Sequence, residues 1–261
     1  NLFSLFKQLK EDDVLVLQNN AVATTFFALS FYRGKNPIYM IQYNQMGLDS
    51  GVKKWLFSQA KKKINGIICP DASIGAAYCS NYCVVPDYIM TEKQFSKLNA
   101  GELSKKYDFG ILGIITEDKG VVEVAEQLAQ TDYSVLIAGR SANETIREKL
   151  ISICKGKENI SLILEYVNDE DYDRYLRQIK YCILNYSDAY SKHSSGVIFD
   201  TLYRGTPVIG RRCKFLQVVE DNKIGFLFDN ISECDFEQLL DEKRVHEYQD
   251  NLRKYLKQQL Q

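Results

Sequence analysis

Short apolar runs alternate along this chain with stretches whose apolar positions recur at helical spacing. The runs predict strands at Val14–Gln18, Ile38–Tyr43, Gly66–Cys69, Cys83–Pro86, Phe109–Ile115, Ser134–Ala138, Ile160–Leu164, Tyr181–Asn185, Pro207–Ile209 and Gly225–Phe228. Helical spacing is clearest at Gly120–Ala129, through Val121, Val124, Ala125 and Leu128, and at Asp171–Ile179, through Tyr172, Tyr175, Leu176 and Ile179. Asn168 or Asp169 is placed to cap the second helix. Strands alternating with helices predict an α/β protein with parallel sheets. Residues 87–106 are polar with little strand character, which places a domain boundary near 100–106, with one sheet before it and a second after it. The tail, Phe236–Gln261, reads as helical and highly charged.

Composition narrows the class. At 261 residues the chain holds one large or two medium domains. Lys and Arg total 33 against 34 Asp and Glu, a net charge of −1, which argues against a globally basic nucleic-acid binder. No apolar run reaches the roughly 18–20 residues of a membrane-spanning helix, and no signal peptide is expected. The cysteines, 7 in all, are scattered without a Cys-x-x-Cys, and there are 2 histidines, so a zinc site or disulfide framework is not expected. Reduced thiols in apolar strands fit a cytoplasmic protein.

Candidate chemistry concentrates in Asn185–Gly210. A strand ends, a polar loop follows, and Ser194-Ser195-Gly196 opens a helix that stops at Gly205 before a new strand. Hydroxyls, a close backbone approach at Gly196 and free N–H groups at a helix start suit an anion such as a diphosphate; Ser195 as a plain helix cap is the competing reading. Asp200, one turn on, suits ribose hydroxyls or else complements the helix dipole. The strand-and-loop Leu112–Gly120 puts Lys119 at the mouth of the next helix, where ligands of parallel sheets bind, as a point charge for phosphate or as a solvated lysine. Val52–Ile64 reads as a basic amphipathic helix with Val52, Trp55, Leu56, Gln59 and Ala60 on one face, suited to an anionic membrane surface or to packing on a sheet. Asp171-Tyr172-Asp173 has the spacing of a metal-binding pair but reads as ordinary helix-start chemistry.

Gly113…Lys119-Gly120, the strand Tyr133–Arg140, the strand and loop Ile160–Val167, and Ser195–Leu202 followed by Gly205-Thr206-Pro207-Val208-Ile209 occur in the order of a known pattern. Residues 107–230 resemble the nucleotide-sugar-binding domain of GT-B fold glycosyltransferases, in particular the retaining family 4. Residues 13–90 are similar to the later part of that fold's acceptor-side domain, through Asp13–Gln18 and Val84-Val85-Pro86-Asp87. The resemblance implies two Rossmann-like parallel-sheet domains: 1–103, acceptor-side and incomplete at its start; 104–245, donor-binding; and a helical tail, 246–261. Three departures stand out. The family's Glu-x7-Glu pair falls on Lys192 and Asp200, its diphosphate-binding arginine falls on Ile114, and its N-terminal glycine-rich loop is absent.

What the resemblance implies is transfer of a sugar from a nucleotide-diphosphate sugar to a glycan or lipid-linked acceptor, in surface polysaccharide biosynthesis. The leaving diphosphate would be met by Lys119, Ser194, Ser195 and Gly196, with Lys119 and His193 as the catalytic candidates. Asp200 would take the ribose, and Tyr166 and Val167 the base. Asn19, Asn20, Gln42 and Asn44 would face the acceptor. No metal or other cofactor is implied, no nucleic-acid partner is expected, and membrane contact would run through Val52–Ile64. The departures at Lys192 and Ile114 motivate the alternative of a non-catalytic, glycosyltransferase-like subunit that binds an acceptor or a partner enzyme. A sugar-nucleotide epimerase of the same fold would need an acid/base set that the chain does not display.

Overall fold

The computed structural model describes every residue except 1, 19–20, 45–47, 49–50, 86–89, 101–103, 189, 191–194 and 261, and the side chains of 99 and 100. The chain forms two compact units, a first of Asn1–Asp87 and a second of Tyr88–Ser191 with Ser195–Gln261.

The first unit begins with helix α1 (Leu2–Phe6). It continues through β1 (Leu15–Gln18), α2 (Ala23–Phe31), β2 (Ile38–Ile41), α3 (Gly51–Ala60), β3 (Gly66–Cys69), α4 (Ala72–Tyr78) and β4 (Tyr82–Val84). The four strands form one parallel sheet in sequence order. Its core gathers Leu15, Leu17, Phe26, Leu29, Met40, Phe57, Ile67 and Tyr78. The ring of Phe57 lies 5.1 Å from that of Phe26 and 5.6 Å from that of Tyr78. These aromatics turn α3 so that Leu56, Phe57 and Ala60 are buried, while Val52 and Trp55 are exposed. The apolar face therefore includes Phe57 and leaves out Val52, Trp55 and Gln59, a shift from the face read off the sequence. The side chain of Asp71 caps α4 by accepting from the Ser73 N–H at 2.8 Å.

The second unit opens with α5 (Glu92–Ala100). Thr91 and Gln94 form a reciprocal capping box there: the Thr91 N–H donates to Gln94 Oε1 at 3.0 Å and the Gln94 N–H to Thr91 Oγ1 at 3.3 Å. β5 (Tyr107–Leu112), α6 (Val121–Leu128), β6 (Val135–Ala138), α7 (Glu144–Cys154), β7 (Ile160–Ile163), α8 (Asp169–Gln178) and β8 (Ile179–Leu184) follow. The chain then runs through α9 (Gly196–Leu202), β9 (Val208–Arg211), α10 (Gln217–Asp221), β10 (Gly225–Phe228), α11 (Phe236–Leu239) and α12 (Glu242–Gln258). The six strands are parallel, in spatial order β10-β9-β8-β5-β6-β7. β6 is buried at every position, as a strand covered on both faces must be. One core layer holds Phe109, Val124, Leu128, Ile137, Tyr181 and Phe236, and the other Leu112, Leu136, Cys182, Ile198, Leu202, Leu252 and Leu256.

A strand is present at each of the ten expected places, eight of them with altered ends and Gly66–Cys69 and Gly225–Phe228 as expected. β5 stops at Leu112, short of the expected Ile115, because Gly113 takes a φ of +101° and turns the chain out of the sheet. β8 begins at Ile179, directly after α8, where the helical reading had extended to Ile179 itself. Asn168 is the cap of α8, its Oδ1 accepting from the Asp171 N–H at 2.9 Å. The polar segment ahead of β5 contains α5, whose Phe95 and Leu98 pack on the second core layer. Residues from 246 on continue α12, which buries Leu252 and Leu256 in that same layer.

Candidate functional site

In the second sheet the order of strands reverses between β5 and β8: from β5 the chain steps outward to β6 and β7, then returns to lay β8, β9 and β10 on the other side. In open parallel sheets the crevice beyond the carboxyl ends of two such strands is where ligands bind. Three chain segments meet there.

The first is the loop after β5. It forms a tight 3-10 turn at Glu117–Lys119, and Gly120 follows in the left-handed region at φ +59°. A Cβ at Gly120 would stand 2.6 Å from the backbone O of Asn185, so glycine alone permits the approach of the second segment. That segment is the end of β8. Asn185 is buried, and its Nδ2 donates to Gly120 O at 3.2 Å and to Glu123 Oε2 at 2.9 Å. The Ser187 N–H donates to Asp118 O at 2.8 Å. The third segment is the start of α9. Ser195 is buried, but its hydroxyl does not cap the helix; it is bonded instead to the hydroxyl of Tyr186. The plain-cap reading of Ser195 therefore fails, because Tyr186 holds the hydroxyl inward. Tyr186 is itself stacked on Tyr190 at 4.3 Å.

Gly113 is where these segments converge. A Cβ there would lie 3.2 Å from Val197 in the first turn of α9 and 3.8 Å from Lys119 Nζ. On its other side the backbone O of Gly113 would be 1.8 Å from a Cβ at Gly139, so β5 and β6 end in close backbone contact. Lys119 Nζ donates to Ile114 O at 2.8 Å, and burial lowers its pKa from the ordinary lysine value. Among the described residues no heavy atom outside its own helix and chain neighbours lies within 4 Å of a Cβ built on Gly196.

The structure thus brings Lys119, Ser195 and Gly196 to one crevice. Asp200 sits on the same helix, half-buried, and Arg204 NH1 donates to its Oδ1 at 3.3 Å. Burial raises its pKa against the opposing effects of Arg204 and of a hydrogen bond with Tyr172. Tyr166, 76% exposed, and the half-buried Val167 follow β7 at the sheet edge. Arg147 on α7 steadies that loop by donating from NH1 to Leu164 O at 2.7 Å. His193 and Ser194 lie outside the described residues, as do Asn19 and Asn20.

In the first unit, Gln42 and Asn44 follow β2 and share one partner: the Tyr78 hydroxyl donates to Asn44 O at 2.9 Å and approaches Gln42 Oε1 at 3.4 Å. Gln42 is fully buried, and its Nε2 has no partner among the described residues. Such an orphan donor is uncommon in a folded interior. Among the described residues no group of three or more His, Cys, Asp or Glu side chains is placed to hold a metal. Asp173 of the Asp-x-Asp run is engaged by Arg177 and Arg204, at 2.9 Å each.

Sequence reasoning missed Asn185, Tyr186, Gly139 and Arg204. Only Arg204 carried a local signal, its i,i+4 spacing from Asp200; the others act through partners in other segments. A cavity of about 450 Å³ lies not at this crevice but at the opposite end of the sheet.

A parallel sheet reversed at its centre, with glycine-bounded loops and a cation at the reversal, is an open α/β architecture with its ligand crevice at that reversal. The family model for glycosyl transferases group 1 matches residues 92–259, and the chain belongs to that family. A search of curated proteins returns no match. Among solved structures, a complex of a Staphylococcus (S. aureus) TarM mutant with fondaparinux, α-GlcNAc-glycerol and UDP is 16% identical, with a TM-score of 0.69 over 99% of this chain and 54% of that one. An α,α-trehalose-phosphate synthase (UDP-forming) from Burkholderia xenovorans is 12% identical, with a TM-score of 0.73 over 98% of this chain and 73% of that one. Anabaena HepE in complex with UDP and glucose is 13% identical, with a TM-score of 0.70 over 94% and 73%. These are likenesses of fold, and the architecture is of the GT-B type. The chain spans about half the length of TarM, 53% in a second TarM structure.

Proposed function

We propose that this chain carries the donor-binding machinery of a glycosyltransferase that moves a sugar from a nucleotide-diphosphate sugar to a glycan or lipid-linked acceptor in surface polysaccharide assembly at the cytoplasmic face of a membrane. The observation that carries the reading is the convergence of Lys119, Gly113 and the start of α9 at the strand-order reversal of a group 1 domain. Cleaving a sugar–diphosphate bond builds negative charge on the leaving phosphate. A fixed donor aimed at that oxygen is commonly worth about 3–4 kcal/mol of barrier.

Lys119 and the N–H groups around Ser195–Gly196 fill that role, with Ser194 and His193 as further donors to the diphosphate. Lys119 Nζ turns from Ile114 O to the phosphate when the donor binds. Tyr166 and Val167 take the base and Asp200 the ribose. Asp200 then shares its carboxylate between ribose, Arg204 and Tyr172. The acceptor binds the first unit at the carboxyl ends of β1 and β2, near Asn19, Asn20, Gln42 and Asn44, and the orphan Gln42 Nε2 supports that placement. The anomeric configuration is retained, as the family 4 resemblance implies, and neither metal nor protein nucleophile takes part. The exposed Val52 and Trp55, with the lysines of Lys61–Lys63, touch the anionic lipid surface on which a lipid-linked acceptor resides.

The test is donor turnover. UDP-, GDP- and ADP-sugars are incubated with the protein and a lipid-linked or oligosaccharide acceptor panel, and release of the nucleoside diphosphate is followed. Turnover with one base and its loss in Lys119→Ala supports transfer. Tight donor binding without turnover favours the non-catalytic subunit, a reading motivated by the lysine at 192 and by the commitment of Asp200 to Arg204.

A further inference from the structure

A cavity of about 450 Å³ lies wholly in the second unit at the amino-terminal end of its sheet. Lys105 precedes β5, Lys180 stands at the start of β8, Arg177 ends α8, and Arg204 and Gly205 lead into β9. The donor crevice is at the other end of these strands, about 16–20 Å away by strand length. The volume is that of an ordinary small-molecule site, typically about 300–1,000 Å³.

The walls have a marked charge asymmetry. Among the described residues, Lys105, Arg177, Lys180, Arg204 and Arg253 line the cavity, with Glu242 as the carboxylate in that lining. The acids that hold these cations stand outside the lining: Asp173 at 2.9 Å from Arg177 Nε and from Arg204 Nε, and Asp108 at 2.8 Å from Lys180 Nζ. Lys105 Nζ donates to Ile179 O at 2.9 Å. The cations are thus pre-oriented from behind. Among the described residues Arg177 meets a protein acceptor through Nε alone, so its terminal N–H groups can serve a ligand. Leu98, Leu240 and Leu256 add an apolar part to the wall. Arginine forks match phosphate oxygens, and the apolar surface beside them suits the organic part of a phosphorylated ligand.

We propose that this cavity is a second ligand site that binds a soluble phosphorylated small molecule, separate from the donor crevice and independent of the reading given for it. Arg204 lines the cavity and also holds Asp200 on α9, so the two ends of the unit share one guanidinium.

The test is calorimetric titration of the full chain with inorganic pyrophosphate at physiological salt, where exposed charges are screened beyond about 8 Å. Three proteins are compared: the unsubstituted chain, Gln249→Glu, which adds a carboxylate to the cavity wall without removing any ion pair, and Lys119→Ala, which alters only the donor crevice. The expected result is a saturable component of binding that Gln249→Glu weakens about tenfold or more and that persists in Lys119→Ala. Matching melting temperatures without ligand establish that Gln249→Glu folds. Binding abolished by Lys119→Ala and kept by Gln249→Glu would place the anion at the donor crevice and overturn the proposal. So would an absence of binding, or weak binding equal in all three proteins.

Discussion

Gly120 is the residue on which the shape of the donor crevice most depends, and Gly120→Ala has a cost that can be worked out. Two terms contribute. At φ +59° an alanine sits in the left-handed region, at about 1–2 kcal/mol, offset by about 0.4–1 kcal/mol of entropy removed from the unfolded chain. The added methyl also meets the Asn185 backbone O at 2.6 Å, and displacing a strand end costs about 1–3 kcal/mol. Gly156→Ala isolates the first term: Gly156 has a φ of +73°, with nothing within 4 Å of its Cβ. The expected losses are about 1 kcal/mol for Gly156→Ala and about 2–4 kcal/mol for Gly120→Ala. At about 2–4 °C per kcal/mol for a domain of this size, calorimetric melts separate them. Equal melting temperatures for the two variants would refute the close approach of Gly120 to Asn185, and with it the way the two loops are fixed around Lys119.

Gly196→Ala should leave stability unchanged or raise it by up to about 1 kcal/mol, since its Cβ meets no described atom within 4 Å beyond its own helix and chain neighbours, yet it should weaken nucleotide-sugar binding where a phosphate packs on that backbone; unchanged affinity in a titration would remove the phosphate from α9. Tyr186→Phe removes one of the two tyrosine hydroxyls that meet the buried Ser195 hydroxyl, Tyr190 supplying the other, and should cost about 0.5–1.5 kcal/mol in urea unfolding. Burial acts to raise the Asp108 pKa, but hydrogen bonds from Lys180 and Ser134 outweigh it and hold the carboxyl below its ordinary value. The stability it contributes is therefore present above the unfolded-state value, near pH 4, and lost as pH falls through the lower folded value. Asp108→Asn should cost about 1–2 kcal/mol at pH 7, a cost that shrinks as pH falls below about 4, and stability curves that stay parallel down through the acid range would contradict it.

The periodic parts of the fold were legible because strands covered on both faces, such as β6, need continuous apolar runs, while β1 in the first sheet alternates buried and exposed positions. Strand ends were less so: the φ of Gly113, not hydrophobicity, stops β5 ahead of Ile114 and Ile115. The orientation of α3 was also hidden, since its buried side is chosen by Phe26 and Tyr78, far off in sequence. Lys119 and Gly196 were legible as a cation and a glycine beside strand ends. Ser195 turning inward to Tyr186, Asn185 clasping Gly120 and the basic cavity all depend on residues brought together only by the fold. Arg204 was within reach of local reasoning, four residues after Asp200, but its second partner, Asp173, belongs to α8.

The central claim is that the crevice at the β5–β8 reversal holds a nucleotide diphosphate. Titration calorimetry of UDP, GDP and ADP against the unsubstituted chain and Lys119→Ala tests it most directly. One nucleotide should bind at a single site and lose about ten- to a hundredfold in affinity in Lys119→Ala, the worth of one charged hydrogen bond. Binding should also fall at alkaline pH below the ordinary lysine value, because burial makes Lys119 lose its proton early. A nucleotide that binds with the same affinity and pH dependence to both proteins would contradict the account.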